Sequence, residues 1–168
     1  MQIKKLYNNF NEAVGKRLGE SVVRKEGFMK VAIVFYSGTG NTEAMAEAVR
    51  EGAVTAGAET SVIPPETFTP EIAQQYDAIA FGCPSMGVEV LEEDVFEPMF
   101  EAVLPSLSAK KIALFGSYGW GDGEWMRDWE ERTQSGGVTQ LLEPVIANEM
   151  PDSTALEACR ALGASLAS

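Results

Sequence analysis

One continuous stretch near residue 40 constrains the fold more strongly than any other part of the sequence. An apolar run at 31–36 is followed by Ser-Gly-Thr-Gly-Asn-Thr-Glu at 37–43, after which apolar residues recur at helical spacing from 45 to 56. A strand that leads through a glycine-rich turn into a helix presents unpaired N–H groups and the positive end of the helix dipole to an anion. The stretch therefore predicts a strand–loop–helix unit that binds phosphate.

The loop lacks the marks of the commoner nucleotide sites. A triphosphate-binding loop needs a lysine, and 37–43 holds no lysine or arginine. A dinucleotide fingerprint needs a third glycine, whereas this loop reads Gly38-x-Gly40-x-x-Glu43. An ordinary capped helix needs fewer donors and glycines than occur here. These residues favour a phosphate monoester held by neutral donors, as in FMN, with the candidate ligands Ser37, Gly38, Thr39, Gly40, Asn41 and Thr42.

Composition excludes several classes of function. The chain has no histidine, which rules out catalytic triads of the Ser-His and Cys-His kinds. Cys83 and Cys159 are far apart and match no metal-binding spacing, so both are expected to be reduced and buried, and no metal site is predicted. The absence of an apolar stretch of membrane-spanning length and of a signal peptide predicts a cytoplasmic protein.

The net charge of −12 is distributed unevenly along the chain. Only three of the 25 acidic residues lie in the first 28 positions, which hold six of the 13 basic ones. The remaining body is strongly acidic and is expected to repel nucleic acids and anionic membranes and to attract basic protein surfaces. Two acidic segments flank the later loops: Glu89, Glu92, Glu93, Asp94 and Glu97, and Asp122, Glu124 and Asp128.

Strands and helices alternate from residue 29 to the C-terminus. Strands are predicted at 30–36, 59–63, 77–82, 111–116 and within 138–149, and helices at 41–56, 96–104, 123–135 and after 152, with a helical turn at 70–75. This order predicts an α/β fold, a doubly wound sheet of five parallel strands in the order 2-1-3-4-5 with helices on both faces. Ligands of such sheets bind beyond the carboxyl ends of the strands. The loops 37–42, 83–90 and 117–123 should therefore converge on one site.

The second and third loops suit a flat ring. In 83–90, Met86 can pack on a ring, Gly87 accepts either sign of φ, and Glu89 can accept a hydrogen bond from an imide N–H; an ordinary exposed turn is the alternative. In 117–123, Trp120 lies between glycines and is expected to stack on the ring, with backbone amides near 121 and 122 serving ring carbonyls. Trp125 and Trp129, four residues apart on the next helix, are expected in the core.

These three loops make residues 29–168 resemble a flavodoxin of the short-chain group typified by clostridial and related anaerobic bacteria. The resemblance rests on Gly-Cys-Pro-Ser-Met-Gly at 82–87, Phe-Gly-Ser-Tyr-Gly-Trp-Gly at 115–121, Gly-Glu-Trp-Met at 123–126 and Asn-Glu-Met-Pro-Asp at 148–152. It implies a flavodoxin-like, monomeric electron carrier, not an enzyme, in which noncovalent FMN transfers single electrons at low potential. It would substitute for ferredoxin, and its partners would be ferredoxin- or flavodoxin-dependent oxidoreductases with basic docking surfaces.

The resemblance also implies residue roles. Ser37, Thr39, Asn41 and Thr42 would hold the phosphate, Met86 and Trp120 would cover the inner and outer faces of the flavin, and Glu89 would bind N3–H. The Gly87 carbonyl would turn toward N5 once the flavin has gained an electron and a proton. The other predicted cofactor-binding residues are Gly38, Gly40, Ser85, Val88, Ser117, Tyr118, Gly119, Gly121 and Asp122, of which Ser85 and Val88 depart from the family pattern.

Two other functions remain open on the sequence alone. An FMN-dependent NAD(P)H:quinone reductase can have the same fold, although no second nucleotide site is visible. A phosphoacceptor receiver domain has the same strand order, but it needs acidic residues where this chain has Ser37 and Cys83.

Residues 1–28 match nothing in the family and are predicted to be an N-terminal extension. It is either a basic docking helix or the product of a misassigned start, since Lys25-Glu26-Gly27 can be encoded by a sequence that resembles a ribosome-binding site before Met29.

Overall fold

The described part of the chain forms one parallel sheet with helices on both faces. The computed structural model describes residues 27–168, so nearly all of the predicted extension, 1–26, lies outside it. The elements are β1 (Lys30–Phe35), α1 (Asn41–Thr55), β2 (Glu59–Ile63), α2 (Pro70–Ala73), β3 (Ala78–Gly82), α3 (Phe96–Val103), β4 (Lys111–Tyr118), α4 (Glu124–Ser135), β5 (Gln140–Leu141), β6 (Val145–Asn148) and α5 (Ser153–Leu166). No helix in 27–168 is long and apolar enough to cross a membrane.

The strand order is β2-β1-β3-β4-β5, and every pairing between these strands is parallel. The predicted order 2-1-3-4-5 is confirmed. The last predicted strand consists of two pieces, because β6 also pairs with β4 in parallel, with Phe115 opposite Val145. The break falls at Pro144, which has no N–H to donate to the ladder.

The strands are buried on both faces because their alternate side chains enter two separate cores. On one face, Ile79 and Phe81 of β3 pack in the core that includes α3 and α4. On the other face, Ala78 and Ala80 lie in the core that includes α1 and α5. Trp125 and Trp129 are buried on the α4 side, which confirms the prediction that they serve packing.

Helices α1 and α5 touch backbone to backbone through one glycine from each. A Cβ atom added to Gly52 would lie 2.6 Å from the carbonyl carbon of Arg160 and closer still to its oxygen. A Cβ added to Gly163 would lie 2.8 Å from the carbonyl carbon of Val49. Any side chain larger than hydrogen at either position would therefore push the two helices apart.

Both cysteines are buried and unpaired, as predicted. Burial raises the pKa of the Cys83 thiol far above its usual range and that of Cys159 to about 12. Because the thiolate is the reactive form, neither side chain is poised for chemistry. Among residues 27–168 no group of three His, Cys, Asp or Glu side chains could hold a metal ion.

Candidate functional site

Three loops meet at the carboxyl edge of the sheet, where β1, β3 and β4 end. Beyond β3, the Cys83 N–H donates to the Phe115 carbonyl at 3.1 Å and the Ser85 N–H to the Ser117 carbonyl at 2.9 Å. The hydroxyls of Thr42 and Ser117 are 3.0 Å apart and hydrogen-bonded. These bonds tie the first turn of α1 and the loop after β3 to the end of β4.

The first loop, 37–40, ends at a left-handed glycine that starts α1. Gly40 has φ 96°, which an L-residue rarely adopts, and as a glycine it has no side chain that could cap the helix. Ser37 supplies the cap, because its Oγ accepts from the N–H groups of Gly40 at 3.2 Å and Glu43 at 3.3 Å. Within residues 27–168, no protein acceptor is found for the N–H groups of Gly38, Thr39, Asn41 and Thr42. The loop thus offers several free amide donors at the positive end of a helix.

The predicted phosphate donors differ in how accessible they are. Thr39 is exposed and Asn41 is half-buried. Thr42 is only 1% exposed and Ser117 only 5%, and the Thr42 hydroxyl also accepts from the Ser117 N–H at 3.4 Å. These two buried hydroxyls join α1 to β4.

The second loop contains a tight turn closed at both ends. The Met86 N–H donates to the Val90 carbonyl at 2.8 Å, and the Val90 N–H donates to the Met86 carbonyl at 3.0 Å. Gly87 and Glu89 inside this turn have φ 50° and 55°, which is the left-handed region and is uncommon for a residue with a side chain. Val88, at the tip, is 81% exposed. The turn therefore projects 87–89 away from the sheet on a fixed base.

Glu89 reaches across from the second loop to the third. Its Oε1 accepts from the Glu124 N–H, the first of α4, at 3.1 Å. Its carboxylate also occupies the space that a Cβ on Gly121 would need, since such an atom would lie 2.8 Å from Oε2 and closer to Cδ. The sequence indicated Glu89 as an acceptor for a ring N–H but did not indicate this link.

The third loop is shorter than predicted. Because Ser117 and Tyr118 pair with Ala147 and Asn148 of β6, they end β4 and only 119–123 form the loop. Trp120 is 60% exposed there. Both 121 and 123 are glycines with positive φ, which accounts for part of the glycine content of this segment.

Arg127 fixes one end of this third loop. Its guanidinium donates to the Asp122 carbonyl at 3.0 Å and to Asp122 Oδ1 at 2.8 Å. The hydrogen bond and positive charge of Arg127 hold the pKa of the Asp122 carboxyl below its usual range.

Glu92 differs from the other carboxylates of the two acidic segments. It is 7% exposed, and its carboxylate accepts from the N–H groups of Asp94 at 3.0 Å, Val95 at 3.0 Å and Phe96 at 2.8 Å. It therefore caps α3 from a position four residues before the helix begins. An acidic residue just ahead of an apolar helical segment is a sequence signal from which this role could have been predicted. The other seven carboxylates of the two segments are exposed or half-buried.

The site has the donors and the open space that FMN requires. Free amides and hydroxyls without a cation suit a phosphate monoester. Each loop has at least one glycine, among them Gly38, Gly87 and Gly119, with no protein atom within 4 Å of where a Cβ would lie, its chain neighbours apart. The backbone of all three loops can therefore approach a ligand closely, and an exposed indole lies beside one of them.

Comparisons with known proteins agree on one family. The flavodoxin family model matches residues 33–163. The chain is 46% identical over 133 residues to a flavodoxin of Megasphaera elsdenii, which covers 79% of this chain and 95% of the relative. It is 46% identical over 120 residues to a flavodoxin of Clostridium beijerinckii, covering 71% of this chain and 87% of the relative. The solution structure of two-electron reduced M. elsdenii flavodoxin superimposes with a TM-score of 0.76 at 45% identity, covering 82% of this chain and 98% of that one.

Proposed function

This chain belongs to the flavodoxin family, and from that premise we propose how its three loops hold FMN. Flavodoxins are FMN-binding electron carriers, and this protein is an electron-transfer protein that passes electrons to redox enzymes; it is not itself an enzyme. The observation that carries the residue assignment is the meeting of three loops that each offer free backbone or an unhindered glycine at one edge of the sheet. All three loops lie at this edge of the sheet.

The first loop binds the phosphate. Amide donors at 38, 39, 41 and 42, together with the side chains of Thr39 and Asn41, surround the anion, and the dipole of the 15-residue helix α1 favours its charge. Ser37 shapes this loop by capping Gly40 and Glu43. Thr42, held by Ser117, fixes the loop against the sheet.

The second and third loops bind the flavin ring. Met86 covers one face and Trp120 the other, which excludes water from the ring. Glu89 orients the ring through its imide N–H, and the peptides at 87, 121 and 122 contact its polar edge. Bound FMN supplies the one-electron chemistry. The surrounding carboxylates disfavour additional negative charge, which makes the carrier strongly reducing.

An absorption spectrum recorded during FMN titration tests the assignment. The protein stripped of cofactor should take up one equivalent of FMN and turn yellow, and anaerobic reduction should proceed in two separate one-electron stages. Absence of stoichiometric binding, or NAD(P)H oxidation by the loaded protein, would contradict the carrier function.

Replacing Trp120 by alanine should weaken FMN binding by about 1–3 kcal/mol, because the flavin ring loses the indole that stacks on it. Fluorescence titration with FMN measures the change. Trp120→Phe should keep most of the affinity. Val54→Ala, which shortens an exposed apolar side chain in the last turn of α1, should leave it unaltered. An unchanged dissociation constant for Trp120→Ala would remove Trp120 from the site.

The acidic segments around the site also support a proposal about partners. We propose that they dock basic surfaces of ferredoxin- or flavodoxin-dependent oxidoreductases, that the carrier acts as a monomer, and that it works in the cytoplasm, where its two free cysteines stay reduced. Electron-transfer rates that fall as ionic strength rises would support the docking surface, because screening weakens attraction between opposite charges.

A further inference from the structure

We propose that Glu89 is a positioning residue for the loop that carries Trp120, acting through the N-terminus of α4. This role is separate from any bond between Glu89 and the flavin, because the N–H group that Glu89 accepts from belongs to Glu124 of the protein itself. It rests on the proposed function, in which Trp120 covers the ring.

Helix α4 has no cap of its own. Its N-cap residue is Gly123, with φ 95°, and glycine has no side chain to accept the first N–H groups. The missing acceptor comes from 35 residues earlier in the chain, where Glu89 Oε1 takes the Glu124 N–H at 3.1 Å. A carboxylate at this end of a helix is also favoured by the helix dipole.

The backbone around Glu89 and Gly121 is shaped for this contact. Glu89 has a left-handed φ of 55°, and its turn is closed by the two bonds between Met86 and Val90. The carboxylate can lie against 121 because that residue is a glycine; a Cβ there would lie 2.8 Å from Oε2. Two independent local features, a positive φ on one side and a missing side chain on the other, thus serve one interaction.

Two oppositely charged side chains, those of Glu89 and Arg127, hold the loop that carries Trp120. Arg127 binds the carbonyl and carboxylate of Asp122, while Glu89 holds the residue that follows Gly123. Between them they fix the C-terminal half of the 119–123 loop. Its N-terminal end is fixed by Tyr118, whose carbonyl accepts from the Glu149 N–H at 2.7 Å.

Amide hydrogen exchange in the cofactor-free protein tests the proposal. Glu89→Ala removes the acceptor and should speed exchange of the Glu124 N–H about fivefold, the size expected for loss of a helix cap. Glu89→Gln keeps a carbonyl oxygen in the same place and should restore exchange to within about twofold of wild type. Glu131→Ala, at an exposed position of α4 whose side chain makes no hydrogen bond or ion pair with the described residues, is the matched control and should change nothing.

The mobility of the Trp120 indole is the second measurement. In NMR relaxation of the indole N–H, Glu89→Ala should make Trp120 more mobile without cofactor, and Glu89→Gln should not. Buried Trp125 and Trp129 are internal references. If Glu124 exchange and Trp120 mobility are the same in Glu89→Ala as in wild type, the positioning role is wrong. Failure of wild-type protein to bind FMN would instead overturn the proposed function and leave these two measurements unaffected.

Discussion

Replacing Gly163 with alanine is expected to lower the free energy of unfolding by about 3 kcal/mol, the upper part of the range for overpacked cores. The added methyl group would overlap the backbone of Val49 in α1, and backbone atoms inside a helix cannot move aside as a flexible side chain can. Gly52→Ala should cost a similar amount, because its methyl group would overlap Arg160 of α5. Urea denaturation of the cofactor-free protein measures both changes without added stabilisation from FMN.

Whether Gly163→Ala lowers or raises the free energy of unfolding shows which factor dominates, the contact between the two helices or the intrinsic helix propensity of alanine. Alanine is favoured over glycine within a helix by about 1 kcal/mol, so a Gly163→Ala variant that gained stability would show that α1 and α5 do not touch. The exposed residue Ala158 of α5 provides the control. Ala158→Gly should cost about 1 kcal/mol from propensity alone.

Asn41→Asp should weaken FMN binding by about 100-fold while leaving the cofactor-free protein equally or more stable. Asn41 is the first residue of α1, where a carboxylate interacts favourably with the helix dipole. The same carboxylate would lie beside a bound phosphate, and repulsion of a few kcal/mol between like charges at short range corresponds to this loss. Fluorescence titration and urea denaturation measure the two opposite effects.

Riboflavin separates charge repulsion from damage to the site. It has the same ring as FMN without the phosphate, so Asn41→Asp should bind it as wild type does. Asn41→Ser, which keeps a neutral hydrogen-bonding side chain, should lose far less FMN affinity than Asn41→Asp. If the aspartate variant loses both ligands equally, position 41 affects the loop as a whole and the phosphate does not lie there.

The fold follows from local patterns. The apolar run before 37 and the helical spacing after 43 predict β1 and α1 closely, and the alternation of elements predicts the strand order. The convergence of the three loops then follows, because parallel strands bring their carboxyl ends to one edge.

Contacts between distant segments could not be read from local patterns. Ser117 and Tyr118 extend β4 because β6, about 30 residues later, offers pairing partners. Glu89 and Glu92 lie in the same acidic segment, but they cap different helices. Glu92 is buried and caps α3, whereas Glu89 caps α4. The close contact between α1 and α5 at Gly52 and Gly163 likewise joins distant parts of the chain, and no local pattern predicts it.

The absence of a cation from the phosphate loop also affects how fast the cofactor can be captured. FMN carries a negative phosphate toward a protein of net charge −12, so long-range forces oppose each encounter, and the helix dipole acts only within the first turn. Dissolved ions screen this repulsion beyond about 10 Å at 0.1 M. We expect salt to speed FMN association, the reverse of its effect on association with basic partners. Tight binding of FMN should therefore reflect a slow dissociation rate rather than a fast association rate.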